Sequence, residues 1–332
     1  MFELSKEQNT LPCAEIVACL HAEGTSFTVV DSNEDVLLVQ AQSTASLIRD
    51  LTERLAFTFL IDEFIYSCPP TIDDIFTQAE HHPLPKAGSI AIRCKSRVPS
   101  LDALQVIDRL GDVYTKNRTV NLTNPDIELR SLVTEKRAYV GIKKGEIDTS
   151  AFQRRRGHLR PFLSPVTLHP KLARALVNLT YVKKNEVLLD PFCGTGGILL
   201  EAGLLGIQIV GSDIEQKMID GCKKTLEFYG IKKYIVSQKD IGMIHQTISL
   251  VDAVATDFPY GKATTTKGED IAALYDRAFA AIASVLKKDG KAVVGLADKS
   301  MIPLGEKHLS LLGVHEFRVH RSLTRYFVVY QK

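Results

Sequence analysis

Along the chain the apolar positions change period, and each change marks an element. Two short apolar runs, SFTVV (26–30) and DVLLVQ (35–40), flank the polar DSNE and predict a hairpin. STASLIRDLTERLAF follows with a Ser/Thr start and apolar residues at helical spacing, completing a small α+β unit over residues 1–60. A second module spans 61–149. In it the strand-like SIAIRC (89–94) precedes the helix-like SLDALQVIDRLGDVYTKN (100–117), then TVNLTN and a hairpin of IELRSLV with RAYVGIKKG. FQRRRGHLRPFLSP (152–165) breaks the periodicity with four Arg, one Gly and two Pro, and predicts an exposed basic linker over 150–169.

From residue 170 the pattern becomes regular. The helix PKLARALVNLTYV leads into strand EVLLD (186–190), a Gly-rich turn, helix GILLEAGLLG, strand QIVGSD (208–213) and helix EQKMIDGCKKTLEFYG. YIVSQKD, VDAVATD (251–257), helix DIAALYDRAFAAIASVLKK, KAVVGLA and a closing hairpin of HEFRVH with RYFVVYQ complete it. Alternating β and α with short connections predicts an α/β fold with a doubly wound, Rossmann-like, mostly parallel sheet whose last strand is antiparallel. Ligands then meet the carboxyl ends of the strands.

Composition narrows the class. The chain is 45% hydrophobic and 24% charged, which excludes disorder, and no apolar run reaches the about 18 residues of a membrane span. An acidic start without signal-peptide features and six cysteines without CxxC spacing predict a cytoplasmic protein with no metal site. The net charge of +2 hides a gradient: residues 1–85 carry 3 Lys/Arg against 14 Asp/Glu, residues 86–150 carry 12 against 8, and residues 151–332 carry 26 against 17. Charge separated this far predicts a polyanionic partner for the later two thirds.

The candidate chemistry sits at strand ends. Asp190, Phe192, Cys193, Gly194, Thr195 and Gly196 form a glycine turn after the first strand of the C-terminal half. Leu199 stands where a dinucleotide fingerprint needs its third Gly, and no Lys-Ser/Thr follows for a P-loop. Instead Asp213 (with Ile214) ends the second strand and Asp240 (with Ile241) ends the third. A carboxylate at such a tip accepts both hydroxyls of a ribose and repels phosphate. Three of them suit a cofactor with a cationic group, an adenine and a bare ribose, a description that S-adenosylmethionine fits. Strand four ends in Asp257-Phe258-Pro259-Tyr260. There a carboxylate and a backbone carbonyl near Phe258 or Pro259 can hold the two N–H groups of an exocyclic base amine while Tyr260 stacks on the base. Cys193 is read as a small buried hydrophobe, with no second Cys or basic partner evident to make it a nucleophile.

DPFCGTGG followed by SD and DFPYG resembles the amino-group methyltransferases with an Asp/Asn-Pro-Pro-Tyr signature, Phe258 departing from the first Pro. LRPFLSPVTLHPKLARALVNL and VHRSLTRYFVVY are similar more narrowly to archaeal tRNA guanine-N2 methyltransferases acting at position 10. In that family a THUMP RNA-binding domain joins a Rossmann-like methyltransferase, and RCKSR (93–97), VNLTNPDIELR and AYVGIKKG resemble the THUMP pattern. The resemblance implies a ferredoxin-like α+β unit over 1–60, a THUMP domain over 61–149, and a methyltransferase domain over 170–332. It further implies a cofactor contact at His169, N2-methyl and N2,N2-dimethyl products, tRNA as partner, and a monomer with a small activating protein subunit left open. Another tRNA position, ribosomal RNA, base amines of DNA and a non-catalytic RNA-binding protein stay as alternatives.

For RNA the candidates are basic. Arg93, Lys95 and Arg97 alternate along one strand and share a face, and Lys143 and Lys144 end the hairpin. Arg154, Arg155, Arg156 and Arg160 cluster in the linker, and Arg321 and Arg325 lie in the loop region near the final strand, where they are expected to reach phosphates flanking the target.

Overall fold

The computed structural model describes residues 1–84, 87–162, 167–246, 248–260, 269–320 and 323–332. Its chain divides into two compact units. The first holds Met1–Lys6, Phe27–Thr52 and Thr58–Ile147; the second holds Glu7–Ser26, Glu53–Phe57 and Asp148–Lys332.

The first unit is a seven-stranded sheet. In chain order its strands are β1 (Phe2–Leu4), β2 (Phe27–Ser32), β3 (Val36–Ala41), β4 (Thr58–Cys68), β5 (Ile90–Ser96), β6 (Ile127–Val133) and β7 (Ala138–Glu146). They lie in the order β2-β3-β1-β4-β7-β6-β5, with β5 and β6 parallel and the other pairs antiparallel. The sheet therefore runs across residue 60, where the sequence predicted a boundary. An isolated β2/β3 hairpin is at best marginal in water, and pairing through β1 to the long β4 supplies its missing neighbours. TVNLTN contributes a single bridge, Val120 to Ile90, and no strand. Of the helices, α1 (Leu11–Ala22) lies in the second unit, whereas α3 (Ile72–His81) and α4 (Ala103–Tyr114) cover a core of Ile75, Val106, Leu110, Ile127 and Leu129 in the first. Thr71 and Asp102 cap α3 and α4 by accepting from Asp74 N and Leu104 N. The intervening α2 is Ala45–Arg54.

One buried ion cluster ties this sheet together. Arg130 on β6 pairs with Gly141 on β7, where a Cβ would stand 3.0 Å from Asp62 Cβ. The Arg130 guanidinium donates to Asp62 on β4 (2.8 Å) and to Glu3 on β1 (2.7 Å). Glu3 also accepts from Lys95 at 2.7 Å, and Arg97 reaches Asp35 and Glu3. Lys95 and Arg97 thus meet carboxylates of the acidic N-terminal stretch, where the sequence had assigned them to phosphate.

In the second unit the strands are β8 (Val187–Asp190), β9 (Gln208–Asp213), β10 (Tyr234–Gln238), β11 (Val251–Asp257), β12 (Leu286–Leu296), β13 (Ser310–His320) and β14 (Leu323–Gln331). Their order is β10-β9-β8-β11-β12-β14-β13, parallel from β10 to β12 with β14 antiparallel between β12 and β13. This is the expected doubly wound α/β sheet. On one face α1, α6 (Pro170–Leu179), α7 (Gly197–Leu204) and α8 (Gln216–Phe228) bury Leu11, Ala18, Leu176, Leu199 and Leu226. On the other, α9 (Ile271–Val285) and the short α10 (Ile302–Glu306) pack around Val254, Phe258, Phe279 and Val294. Glu15 fastens α1 to its neighbours: its buried carboxylate accepts from Ala56 N (3.1 Å), Phe57 N (2.8 Å) and Asn178 Nδ2 (2.8 Å). The expected linker is also structured, with α5 (Ser150–Arg154) and a 3₁₀ turn over Gly157–Leu159.

Removing Arg130 strands buried Asp62 and takes one of three cations from Glu3, and breaking a buried pair typically costs about 3–5 kcal/mol. Arg130→Met should lower the urea midpoint of the first unit's transition accordingly, while Arg93→Met, at an exposed hydrogen bond to Leu122 O, should leave it nearly unchanged.

Candidate active site

Strands β8 and β11 are neighbours at the point where the strand order reverses, and a crevice at their carboxyl ends follows from that topology. A cavity of about 310 Å³ lies there, lined wholly by residues of the second unit.

The glycine turn forms one wall. Gly194 and Gly196 take φ of 48° and 82°, a left-handed conformation that favours glycine, so the chain can reverse from β8 into α7. Cys193 N donates to Ser212 O at 2.9 Å and Gly194 N to Asp213 Oδ2 at 3.0 Å, which pins the turn to β9. Gly196 caps α7 and faces away from the cavity, where a Cβ would stand 2.7 Å from Cys222 Sγ. Cys193 does have a second thiol beside it, contrary to the sequence reading. Its hydrogen bond with Cys222, together with burial, pushes the Cys193 thiol well above its ordinary value, which leaves it an inert wall residue.

Four aspartates line the cavity, together with Glu215 and Glu269. Asp190 accepts from Thr256 Oγ1 (2.7 Å) and Phe192 N (3.2 Å), and burial pushes its pKa up to about 7. Asp213 also accepts from Glu215 N (2.9 Å); burial raises its pKa as well. Asp240 accepts from Gly242 N (2.8 Å) and pairs with Arg277, whose other partner is Glu269 (2.7 Å). Phe192, Ile214 and Ile241 supply apolar lining between them. His169 is not on the cavity wall. It is the N-cap of α6, its Nδ1 accepting from Lys171 N at 3.2 Å, and burial lowers its pKa, in keeping with a neutral ring that accepts there.

The fourth aspartate, Asp257, has divided surroundings. Its Oδ2 is bound by Arg325, while Oδ1 is buried and has no hydrogen-bond partner. Oδ1 rests against β12 at Gly295, where a Cβ would come within 2.4 Å of it. Burial raises the Asp257 pKa against the opposing pull of the Arg325 charge. Arg325 also donates to Tyr260 Oη, and its guanidinium carbon lies 4.5 Å from the centre of the Tyr260 ring. Phe258 points into the core against Phe192, Tyr275 and Phe279 with ring centres 4.8–5.1 Å apart, so it contributes backbone to the site and bulk to the fold. The Pro259 carbonyl accepts from Tyr275 Oη at 2.8 Å.

The basic candidates are dispersed. Arg325 is buried at the cavity rather than exposed beside it, and Arg321 lies outside the described residues. Arg155 grips Glu201 with two bonds of 2.8 and 2.9 Å, and Arg160 is buried. Lys143 pairs with Glu146 and Glu128, Lys144 with Glu63 and Arg154 with Asp148. Arg93 and Arg156 are exposed. Thr256, Tyr275, Arg277 and Glu269 were not anticipated. Each acts on a residue at least eight positions away, so no local pattern announces it.

Residues 157–326 match the RMKL-like methyltransferase domain and residues 70–143 the THUMP domain. Over its whole length the chain is 32% identical to the tRNA (guanine(10)-N2)-dimethyltransferase of Methanothermobacter thermautotrophicus, covering 99% of that protein. It is 29% identical to the enzyme of that name from Methanocaldococcus jannaschii, again over 100% of the chain and 99% of the relative. Among solved structures, TrmN from Thermus thermophilus superposes with a TM-score of 0.55 at 17% identity, covering 100% of this chain and 98% of that one, a likeness of fold. The matched domains, in this order and over this length, establish that the chain belongs to the archaeal tRNA (guanine(10)-N2)-dimethyltransferase family.

Proposed function

We propose that this chain transfers methyl groups from S-adenosylmethionine to the exocyclic N2 of guanosine 10 in tRNA, giving N2-methyl- and then N2,N2-dimethylguanosine. The observation that carries this reading is the half-engaged carboxylate of Asp257, a residue that lines the cavity with one oxygen held by Arg325 and the other buried and unpartnered. A buried acceptor without a donor is costly, and an amine N–H relieves it.

The cavity fits the cofactor by its donor set. Asp213 is placed to accept ribose hydroxyls, Ile214 and Ile241 to flank adenine, and Asp240 to accept from its amino group, while Asp190 offers an anion to a cationic amine. When bound, S-adenosylmethionine supplies an electrophilic methyl group on a sulfonium. The protein's part is positioning. A guanine amine is a weak nucleophile because its lone pair is delocalised into the ring. Accepting its two N–H bonds at Asp257 Oδ1 and at the Phe258 carbonyl favours a pyramidal nitrogen with the lone pair turned toward the methyl group. The Pro259 carbonyl is already taken by Tyr275, which is why Phe258 is assigned that role. Arg325 covers one face of Tyr260, so the target base stacks on the other. After transfer the nitrogen sheds a proton, and Asp257, with its pKa raised by burial, is placed to receive it.

In a duplex the guanine amine lies in the minor groove, so the base has to leave its stack to enter this cavity. The THUMP segment is read as the tRNA-holding part, with exposed Arg93 as a phosphate contact there and exposed Arg156 as one in the other unit. The reading is of a monomeric cytoplasmic enzyme, and no helix among the described residues is long and apolar enough to cross a membrane. A small activating protein remains part of it on one observation: beside the outer strand β10, Phe228, Ile235 and Leu250 are exposed apolar side chains.

With tritiated S-adenosylmethionine and unmodified tRNA transcripts, label should appear at guanosine 10 and be lost from a transcript carrying adenosine there; label elsewhere overturns the reading. Asp257→Ala should slow transfer by about a hundredfold or more while changing tRNA affinity less than about twofold in filter binding. Arg325→Met removes the charge that opposes burial at Asp257. The Asp257 pKa then rises, and the acid limb of the kcat profile should move to higher pH; an unmoved limb separates Arg325 from the carboxylate.

A further inference from the structure

One buried cation in the second unit has no acceptor for its outer nitrogens. Arg160 is 4% exposed, and its Nε donates to Arg155 O at 3.0 Å. Its Nη1 and Nη2 are buried and form no hydrogen bond. Glu201, the carboxylate whose charge acts on Arg160, already accepts from Arg155 and Arg174. A guanidinium cannot relieve its burial by losing a proton, as a carboxyl or an imidazole can. Such a charge calls for an anion.

The position of the side chain says where that anion belongs. Nη1 lies against the start of α7, where a Cβ on Gly197 would stand 3.0 Å from it. Gly197 lines the cavity and is the first residue of this eight-residue helix, whose free N–H groups add positive potential at the same place. The rest of the cavity is acidic, with Asp190, Asp213, Asp240 and Asp257 on its wall. An anionic group entering it meets carboxyl groups along much of the wall. Arg277 is occupied by Asp240 and Glu269, and Lys239 follows β10, two strands away from β8.

We propose that Arg160, which lies behind Gly197 rather than on the cavity wall, receives the α-carboxylate of the cofactor's methionyl end at the start of α7. The proposal rests on reading this cavity as the S-adenosylmethionine site. It replaces the RNA contact that sequence alone suggested for Arg160, because a phosphate of a folded tRNA does not reach a side chain this deeply covered.

The test compares two ligands that differ at the proposed contact. S-adenosylhomocysteine and 5′-methylthioadenosine, which lacks the amino-acid end, are titrated calorimetrically into the full chain and into Arg160→Met. S-adenosylhomocysteine should bind about ten- to a hundredfold more weakly to the variant, and methylthioadenosine within about twofold of wild type. Without ligand, Arg160→Met should also melt at a higher temperature than wild type, because an uncompensated buried charge has gone. A loss shared equally by both ligands, or none for S-adenosylhomocysteine, overturns the proposal. So does weakened tRNA binding with S-adenosylhomocysteine unchanged, which would return the residue to a phosphate. Arg160→Lys, retaining the charge without the fork, serves if the Met variant does not fold, and should show a smaller loss still confined to S-adenosylhomocysteine. Asp213→Ala is the control for the site: it should weaken both ligands, and if it weakens neither, the cavity reading itself fails.

Discussion

The second unit is organised by the need to satisfy carboxylates that the fold places at the buried ends of parallel strands. A doubly wound sheet brings the tips of β8, β9 and β11 together at its switch point, and each tip here carries an aspartate. A charge in that position is expensive unless donors converge on it. Asp190 is met by a threonine hydroxyl and a turn N–H, Asp213 by two turn N–H groups, and Asp257 by an arginine from the last strand. The turn shapes, the left-handed glycines and the antiparallel insertion of β14 beside β12 all serve this requirement. Catalytic capacity is what remains after it is met: the lone pairs that the protein leaves unbonded are the ones available to a substrate.

How legible this was in the sequence depended on distance along the chain. The alternation from residue 186, the glycine turn and Asp257-Phe258-Pro259-Tyr260 are local patterns, and they pointed to a doubly wound sheet with its ligand site at the strand ends. The partner of Asp257 is 68 positions away and the hydroxyl on Pro259 is 16 away, on the far side of a helix start. Nothing in either neighbourhood predicts the pairing. Arg325 is the instructive case, since as one arginine among several near a surface loop it read as a phosphate contact, and only the antiparallel register of β14 turns it inward. Strand β4 escaped notice for a related reason. Its Asp62 and Glu63 interrupt the apolar alternation, and Asp62 is tolerated there because Arg130 reaches it from β6.

The charge gradient has likewise acquired a partly internal meaning. Read along the chain, an acidic start followed by basic segments pointed outward to a polyanion. In the folded first unit, Glu3, Asp35, Asp62 and Glu63 meet Lys95, Arg97, Arg130 and Lys144, so much of the opposition is neutralised within one sheet. Exposed residues such as Arg93 are the remainder that still faces outward. Summing charge by segment overstates the external field whenever segments of opposite sign share a sheet.

The placement of α1 bears on how the molecule is made. The helix precedes α6 in the chain, so its buried Glu15 finds Asn178 only after α6 has been synthesised. The strands on either side of it in sequence meanwhile belong to the other sheet. Neither unit is a continuous stretch of polypeptide, and the second joins segments made on both sides of the first. A nascent chain arrested before residue 170 would hold an orphaned, largely apolar helix with a buried-type carboxylate exposed to water. The second unit closes late and draws on a segment stored near the beginning of the chain, which makes it a poor candidate for exchange between proteins as a single cassette.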